Sequence, residues 1–212
     1  MSWPFGARPS KALLEQAQMA THPLYQHINQ RVSLEKDEFD HVMHCFSTEE
    51  FEKGQRIIVP GQMVKHQYFV LKGCLRTYLI DASGKEHTIQ FAVENWWVSD
   101  YISYYKLTAS ELTVECIEDC VLLKAHVKDL KVLFNELSKI ERFFRLQLES
   151  AFVAFQTRIL SDLHKNAEQR YALFVKQYPN IEQRVKNYQI ASFLGITPES
   201  LSRLRRQRLE SK

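Results

Sequence analysis

The sequence predicts an α+β chain built in three successive parts: a small antiparallel β-barrel or jelly roll, one long helix, and a compact helical end. Three observations carry that reading. From Thr48 onward the helical period gives way to short β-branched and aromatic runs, cut by Gly54, Gly61, Gly73 and the Ala-Ser-Gly turn at Gly84. Between Ser138 and Leu163, apolar residues recur every three or four positions over about seven turns. The stretch NYQIASFLGITPESLSRLRRQ, residues 187–207, has the spacing of two short helices meeting at a glycine.

Residues 1–46 read as helical, with polar and apolar positions mixed in SKALLEQAQMA and LEKDEFDHVMHCF. FEKGQRIIVPGQ, HQYFVLKGCLRTYLIDASGKEHTIQFAVEN and LTVECIEDCVLLKAH follow as strands and turns, whose spacing favours an antiparallel roll over a parallel sheet. A short helix near VKDLKVLFNEL closes this part, so a β-roll sensor domain is expected over residues 1–137. Ser138 is the candidate cap of the long helix, residues 138–164, whose apolar set is Ile140, Phe144, Leu148, Phe152, Phe155, Ile159 and Leu163. A helix of that length should lay one stripe on its own roll and offer another to a partner helix. Phe144, Leu148, Phe152, Phe155 and Ile159 are the candidates to pair across a two-fold axis; a single long core helix in a monomer is the alternative. AEQRYALFVKQYP, after Asn166 and stopping at Pro179, opens a C-terminal domain of residues 165–212, with residues 164–166 as the hinge.

In that domain Ile190 and Leu194 share one helix face, and Ala191 is small where two helices cross. Gly195 suits the left-handed conformation that ends a helix, and Ile196 fills the corner. Thr197 is a good N-cap, Pro198 suits the first helical position, and Glu199 complements the helix N-terminus. Leu201 and Leu204 face the first helix, which leaves Glu199, Ser200, Ser202, Arg203 and Arg206 outward. This is a helix-turn-helix by mechanism, and an ordinary helical hairpin is the bland alternative. No wing is expected after the second helix, which should run to about Leu209.

Charge suggests a polyanion partner, with a merely solvated C-terminal helix as the alternative. The net charge of +3 hides an asymmetry: from Gln183 onward seven bases (Arg184, Lys186, Arg203, Arg205, Arg206, Arg208, Lys212) face two acids (Glu199, Glu210). That end carries +5, and residues 1–182 carry −2. At 45% apolar residues the chain can bury a core. No apolar run approaches the roughly 18 residues of a membrane span. The N-terminus MSWPFGARPSK lacks a signal core, and four scattered cysteines suit a reducing cytoplasm.

A β-roll, a long helix and a C-terminal helix-turn-helix occur in this order in one family. The chain resembles the Crp/Fnr superfamily of bacterial transcription regulators, relatives of the cyclic-AMP receptor protein, over nearly everything after about His22. GKEHTIQFAVENWWVSD and RVKNYQIASFLGITPESLSRLRRQ look especially like Bacteroidetes members. The resemblance implies a cyclic-nucleotide-binding-like roll, a homodimer, operator DNA as partner, and RNA polymerase as a further one. In nucleotide-binding relatives a Gly-Glu pair after an aromatic starts a short helix, and an Arg-Ser pair follows about ten residues on. In WVSDYISYYKLTASELTV, Ser99 stands for the glycine, Asp100 for the glutamate, and Ser110-Glu111 for Arg-Ser. A carboxylate where an arginine should neutralise a phosphate argues against cyclic AMP.

The implied effector pocket is Trp97, Ser99, Asp100, Tyr101, Tyr104, Ser110 and Glu111. Trp96, Trp97, Tyr101, Tyr104 and Tyr105 either line a cavity for an unidentified flat or apolar effector or are core. On the DNA side, the resemblance places Arg203 as the reader of a base, with its fork suited to guanine and Glu199 suited to a cytosine amine. Pro198 stands where relatives can carry another arginine. Thr197, Arg205 and Arg208 are expected on phosphates. Ser200, Ser202 and Arg206 complete the interface.

No cofactor is expected: only Cys45 lies in the first 73 residues, against the iron–sulfur pattern. Cys116 and Cys120 have a poor ligand spacing, and a haem reading has only stray histidines behind it. A jelly-roll metalloenzyme would need converging histidines, and His66 and His87 lie apart without a His-x-His pair. His41 and His44 could share a helix face, but such an exposed pair is far more often solvated than ligating. No nucleophile elbow or phosphate-binding loop is present. The remaining alternative is a ligand-binding or interaction module that has lost DNA. A non-enzymatic, homodimeric, cytoplasmic transcription regulator is the expectation.

Overall fold

A computed structural model describes residues 17–179 and 181–210. The helical reading of residues 1–16 lies outside the described residues. Residues 17–21 are helical, and two fully described helices follow before the roll: α1 (Pro23–Asn29), which starts on a proline with its first turn capped by the His22 ring, and α2 (Lys36–His44). Glu38 at the third position of α2 accepts from the Glu35 amide at 2.8 Å, as a capping box requires.

The strands are β1 (Phe46–Phe51), β2 (Arg56–Ile58), β3 (His66–Lys72), β4 (Leu75–Ile80), β5 (Glu86–Ala92), β6 (Trp97–Val98), β7 (Thr113–Cys116) and β8 (Cys120–His126). Helix α3 (Tyr101–Lys106) lies between β6 and β7, and α4 (Val127–Glu136) follows β8. Two four-stranded sheets form, β1-β8-β3-β6 and β2-β7-β4-β5, with every pairing antiparallel. This is the roll that the glycine-cut runs predict.

Strand alternation decides where each side chain goes. Tyr68 and Val70 point between the sheets, packing with Ile58, Leu75, Val114, Cys116 and Leu122. Phe69 points to the other face, where α1, α2 and α4 cover it with Leu24, Ile28, Phe39, Leu130 and Leu133.

The long helix α5 (Ser138–His164) serves both halves of the molecule. Leu137, not Ser138, stands at its N-cap, and no side chain caps it; Ser138 is already helical. Ile140, Phe143 and Phe144 are buried on the roll, and Ser161 is buried near the C-terminal end. Leu148, Phe152, Phe155 and Ile159 remain exposed, as do Val153, Leu160 and Leu163. Phe144 therefore does not belong to the free stripe. Its ring lies 4.9 Å from Trp97 and 5.0 Å from Phe134, because position 144 falls on the helix edge that turns toward the roll.

After Lys165, in extended backbone, come α6 (Ala167–Gln177), α7 (Ile181–Arg184), α8 (Asn187–Leu194) and α9 (Pro198–Glu210). Asn166 and Gln169 exchange side-chain and backbone hydrogen bonds to start α6. The sequence reading did not anticipate α7. Helix α9 reaches Glu210, and among the described residues no strand follows it.

This helical head is docked on the roll. Phe174, Tyr178, Ile181, Ile190 and Phe193 share one buried cluster with Cys74, Phe91 and Ile117 of the roll.

Candidate nucleic-acid interface and ligand pocket

The head's geometry follows from its apolar positions. Ile190, Ala191, Leu194 and Leu201 are buried between α8 and α9. Gly195 has φ 64°, and the Ile196 amide reaches back to the Ala191 carbonyl at 3.0 Å, closing the corner. The Thr197 hydroxyl accepts from the Ser200 amide at 3.2 Å, so the predicted cap is in place.

Opposite the buried Leu201, the outer surface of α9 carries exposed Thr197, Glu199, Ser202, Arg203, Arg206 and Arg208, with Ser200 half-buried. Among the described residues Arg203 donates only to the Ser200 hydroxyl, at 3.1 Å, a contact that leaves most of its guanidinium donors open. The Ser202 hydroxyl is tied to the Pro198 carbonyl and to Asn187 of α8. Glu199 is held below its usual range by its own backbone amide and the Thr197 hydroxyl. Arg208 reaches over Tyr171, 5.8 Å from the ring centre, and stays exposed.

Arg205 departs from the sequence reading. Its Nε donates to Glu182 at 2.7 Å and its Nη1 to Asn187 at 2.8 Å. Both partners lie within the head, so Arg205 braces α7, α8 and α9 against each other and is not free for a phosphate.

The residues assigned to the effector pocket scatter. Trp97 packs on Phe69 and Phe144 in the helix-side core. Ser99 donates to the His66 carbonyl at 2.9 Å. Tyr104 is buried, Tyr101 half-buried and stacked on Tyr105, and Glu111 exposed. Asp100 and Ser110 do meet. Asp100 is 2% exposed, and its Oδ1 accepts from the amides of Ile102 and Ser103 at the start of α3. Its Oδ2 accepts from the Ser110 hydroxyl at 2.7 Å. The chain's own carboxylate thus takes the helix amides that a phosphate would need, and a second anion beside it would be repelled. The residues present do not fit a cyclic nucleotide in the family's manner.

An open cleft of about 380 Å³ lies nearby, lined by Ile57, Ile58, Gln62, Met63, Val64, Lys65, His66 and Tyr68. It adjoins α3 through the Val64 amide, which donates to the Ser103 hydroxyl at 3.0 Å. None of the assigned pocket residues lines it. Burial, then the charges of Lys124 and His126, push the His66 imidazole below its ordinary range.

A further constellation escaped the sequence reading: the seam between head and roll. The Thr88 amide donates to the Ser192 hydroxyl at 2.9 Å, and that hydroxyl donates to the Glu86 carbonyl at 2.7 Å. Fully buried Arg76 donates from Nε to the Thr88 hydroxyl, which itself donates to the Gln189 carbonyl. Arg158 of α5 donates to the carbonyls of Ile89, Thr88 and Phe193, with its guanidinium 4.0 Å above the Phe193 ring. On the other side, Arg184 of α7 binds Glu94, at 2.8 and 2.9 Å, together with Glu118. The one available signal was Arg158, a cation amid the apolar run of α5.

Among the described residues no group of three or more His, Cys, Asp or Glu side chains is placed to hold a metal ion, and no helix is long and apolar enough to cross a membrane.

Comparison with known proteins fits this arrangement. Residues 48–136 match the family model of the cyclic nucleotide-binding domain. FixK2 from Bradyrhizobium japonicum superposes with a TM-score of 0.69 at 16% identity, over 78% of this chain and 85% of that one. The c-di-GMP responsive global regulator CLP from Xanthomonas campestris gives 0.66 at 14% identity, over 84% and 93%. A chain from Eubacterium rectale described as a transcriptional regulator of the Crp/Fnr family gives 0.62 at 20% identity, over 84% and 85%. The chain has the Crp/Fnr fold. Electron transport regulator A from Shewanella oneidensis is 22% identical over 166 residues, 72% of this chain; the match spans 65% of that relative's length. Within the Crp/Fnr fold, this roll departs from the nucleotide-binding pattern at Ser99, Ser110 and Glu111, and the departure coincides with the Asp100–Ser110 hydrogen bond.

Proposed function

We propose that the chain is a homodimeric, sequence-specific DNA-binding transcription regulator whose roll does not take cyclic AMP. The observation that carries this reading is the exposed surface of α9. It presents Arg203, Arg206 and Arg208 with Ser200 and Thr197, while Leu201 fixes the helix from behind. The N-terminal part of such a helix enters the major groove, where the Arg203 fork matches guanine O6 and N7. Arg208 and the Thr197 hydroxyl are suited to phosphates.

Dimerisation rests on the free stripe of α5. Phe152 is 60% exposed and Phe155 56%, beside Leu148 and Ile159, and so many large apolar groups on one helix call for a covering surface. A second copy related by a two-fold axis would cover it and present two α9 helices to two half-sites. The cleft beside α3 is the place for an unidentified effector of mixed apolar character. Occupancy there would be relayed through α5, whose N-terminal half packs on the roll and whose C-terminal half packs on the head.

The test is selection of duplexes from a random pool by the full chain, with light scattering on the same sample. Recovery of a two-half-site sequence by a dimer is expected. A monomer, or binding with no sequence enrichment at physiological salt, would overturn the proposal.

A further inference from the structure

A second open cleft, of about 390 Å³, lies between α5 and the head. Much of its lining is apolar: Ala154 of α5, Leu173 and Phe174 of α6, and Phe193 and Leu194 of α8. Three cations, Arg158, Arg170 and Lys176, line it against one carboxylate, Asp162. None of these residues belongs to the cleft beside α3 or to the outer surface of α9.

The polar groups differ in what they are free to do. Arg158 is committed, since its guanidinium serves the carbonyls of Thr88, Ile89 and Phe193. Asp162 stands 3.8 Å from Arg158 and 4.0 Å from Arg170, so its charge is offset by two arginines. Arg170 donates from Nε to the Leu194 carbonyl at 3.2 Å and from Nη1 to the Lys165 carbonyl at 2.8 Å. Its Nη2 is left without a hydrogen-bond partner among the described residues. Lys176 is exposed and makes no ion pair among those residues.

Ser161 decides the matter. It is 7% exposed and lines the cleft, yet its hydroxyl has no hydrogen-bond partner among the described residues. Buried polar groups are ordinarily paired, and an unpaired one costs stability. Ser161 precedes Asp162, which lies beside Arg170, so the unused hydroxyl and the unused Nη2 serve the same end of the cleft.

We propose that this cleft binds an amphipathic monoanion, a carboxylate on an apolar body of about ten carbons. The carboxylate accepts from Arg170 Nη2 and the Ser161 hydroxyl, and Lys176 adds to the positive field. The apolar body lies along Leu173 and Phe174 toward Ala154. Three cations against one carboxylate leave the site positive enough to take one more anion. The walls come from both sides of the hinge at residues 164–166, so an occupant joins α6 and α8 to α5 and holds the head at its present angle. The inference stands apart from DNA binding.

The experiment titrates the full chain with decanoate by calorimetry, and with decanamide as the neutral counterpart. One saturable site per chain is expected, with a Kd on the order of 0.1 mM, and decanamide should bind at least about tenfold more weakly. Hydrogen exchange in residues 167–177 and 187–194 should slow several-fold on saturation with decanoate. Ser161→Ala should weaken decanoate several-fold while leaving the melting temperature of the free protein unchanged or higher, because the lost hydroxyl had no partner. Ala154→Phe, at an exposed position, should fill the cleft and abolish binding. The comparison of the two probes needs no variant, so it stands even if a variant fails to fold. No saturable binding at millimolar decanoate, equal affinity for decanamide, or binding that Ala154→Phe leaves intact would each overturn the proposal.

Discussion

The start of α3 and the outer surface of α9 are both places where the sequence puts anion-binding chemistry, and the fold treats them oppositely. At α3 the cap is a buried carboxylate, Asp100, which takes the helix amides and the Ser110 hydroxyl for itself. At α9 the cap is the hydroxyl of exposed Thr197, and Arg203 and Arg206 make no ion pair among the described residues, although the Arg203 charge reaches Glu199. The lesson is one of donor accounting. A helix N-terminus offers itself to an outside anion only where the chain has not already satisfied it.

The sharpest way to break this contrast of closed and open surfaces is on α5, where both kinds share one helix. Phe144→Ala should cost roughly 3–5 kcal/mol of folding stability, since its ring fills the roll's core. Phe152→Ala should leave monomer folding nearly unchanged and weaken dimerisation by about 2 kcal/mol or more as a hot spot. Denaturant melts beside sedimentation would check this; equal loss of folding in both would erase the distinction. At the start of α3, Asp100→Ala should destabilise by about 1–2 kcal/mol through the lost cap and the lost Ser110 bond, the Ser110 hydroxyl keeping its Leu112 contacts, measured by urea titration. Cyclic AMP is expected not to shift the melting temperature of the unaltered protein, and a saturable stabilisation at low micromolar nucleotide would break the closed half of the comparison.

Smaller effects sharpen the open half. Arg208→Ala should lower the salt slope of DNA binding by about one and weaken all duplexes alike. Arg205→Ala should leave that slope unchanged while lowering the head's melting temperature, because Arg205 braces Glu182 and Asn187. The smallest effect concerns pH at the seam. Burial pushes the Glu94 carboxyl up, but the Arg184 hydrogen bond and backbone amides outweigh it, and its pKa falls below the ordinary 4.5. A depressed carboxyl contributes stability that is present above its unfolded value and lost as pH falls through the folded one. Head docking should therefore hold from pH 7 to about 5 and weaken below about 4.5, read as faster exchange in residues 181–194. Unchanged protection at pH 4 would show that the Glu94–Arg184 pair adds nothing.

Much of the fold was legible in the sequence because it rests on periodicity. Glycines cut the strands, Asn166 caps α6, and Gly195 with Thr197 sets the angle of α8 and α9. What the sequence hid were choices that depend on contacts between distant segments. Trp97 looked like a pocket aromatic, but its strand position turns it toward Phe144. Phe144 fits the free stripe by spacing, yet sits on the edge that meets the roll. Arg205 looked like a phosphate contact until Glu182, 23 residues earlier, came beside it. Apart from Arg158, the seam of Arg76, Thr88, Arg158 and Ser192 had no local signal, because hydrogen bonds to backbone carbonyls impose no spacing on the sequence.

The measurement that tests the central claim most directly compares Arg203→Ala with the unaltered chain on its selected operator and on scrambled DNA, across a salt series. Arg203→Ala is expected to lose about 5- to 150-fold on the operator, roughly 1–3 kcal/mol, with little loss on scrambled DNA and a flattened preference at one base pair per half-site. Equal losses on both DNAs would contradict it, reducing Arg203 to a phosphate contact and leaving the outer surface of α9 without a reader.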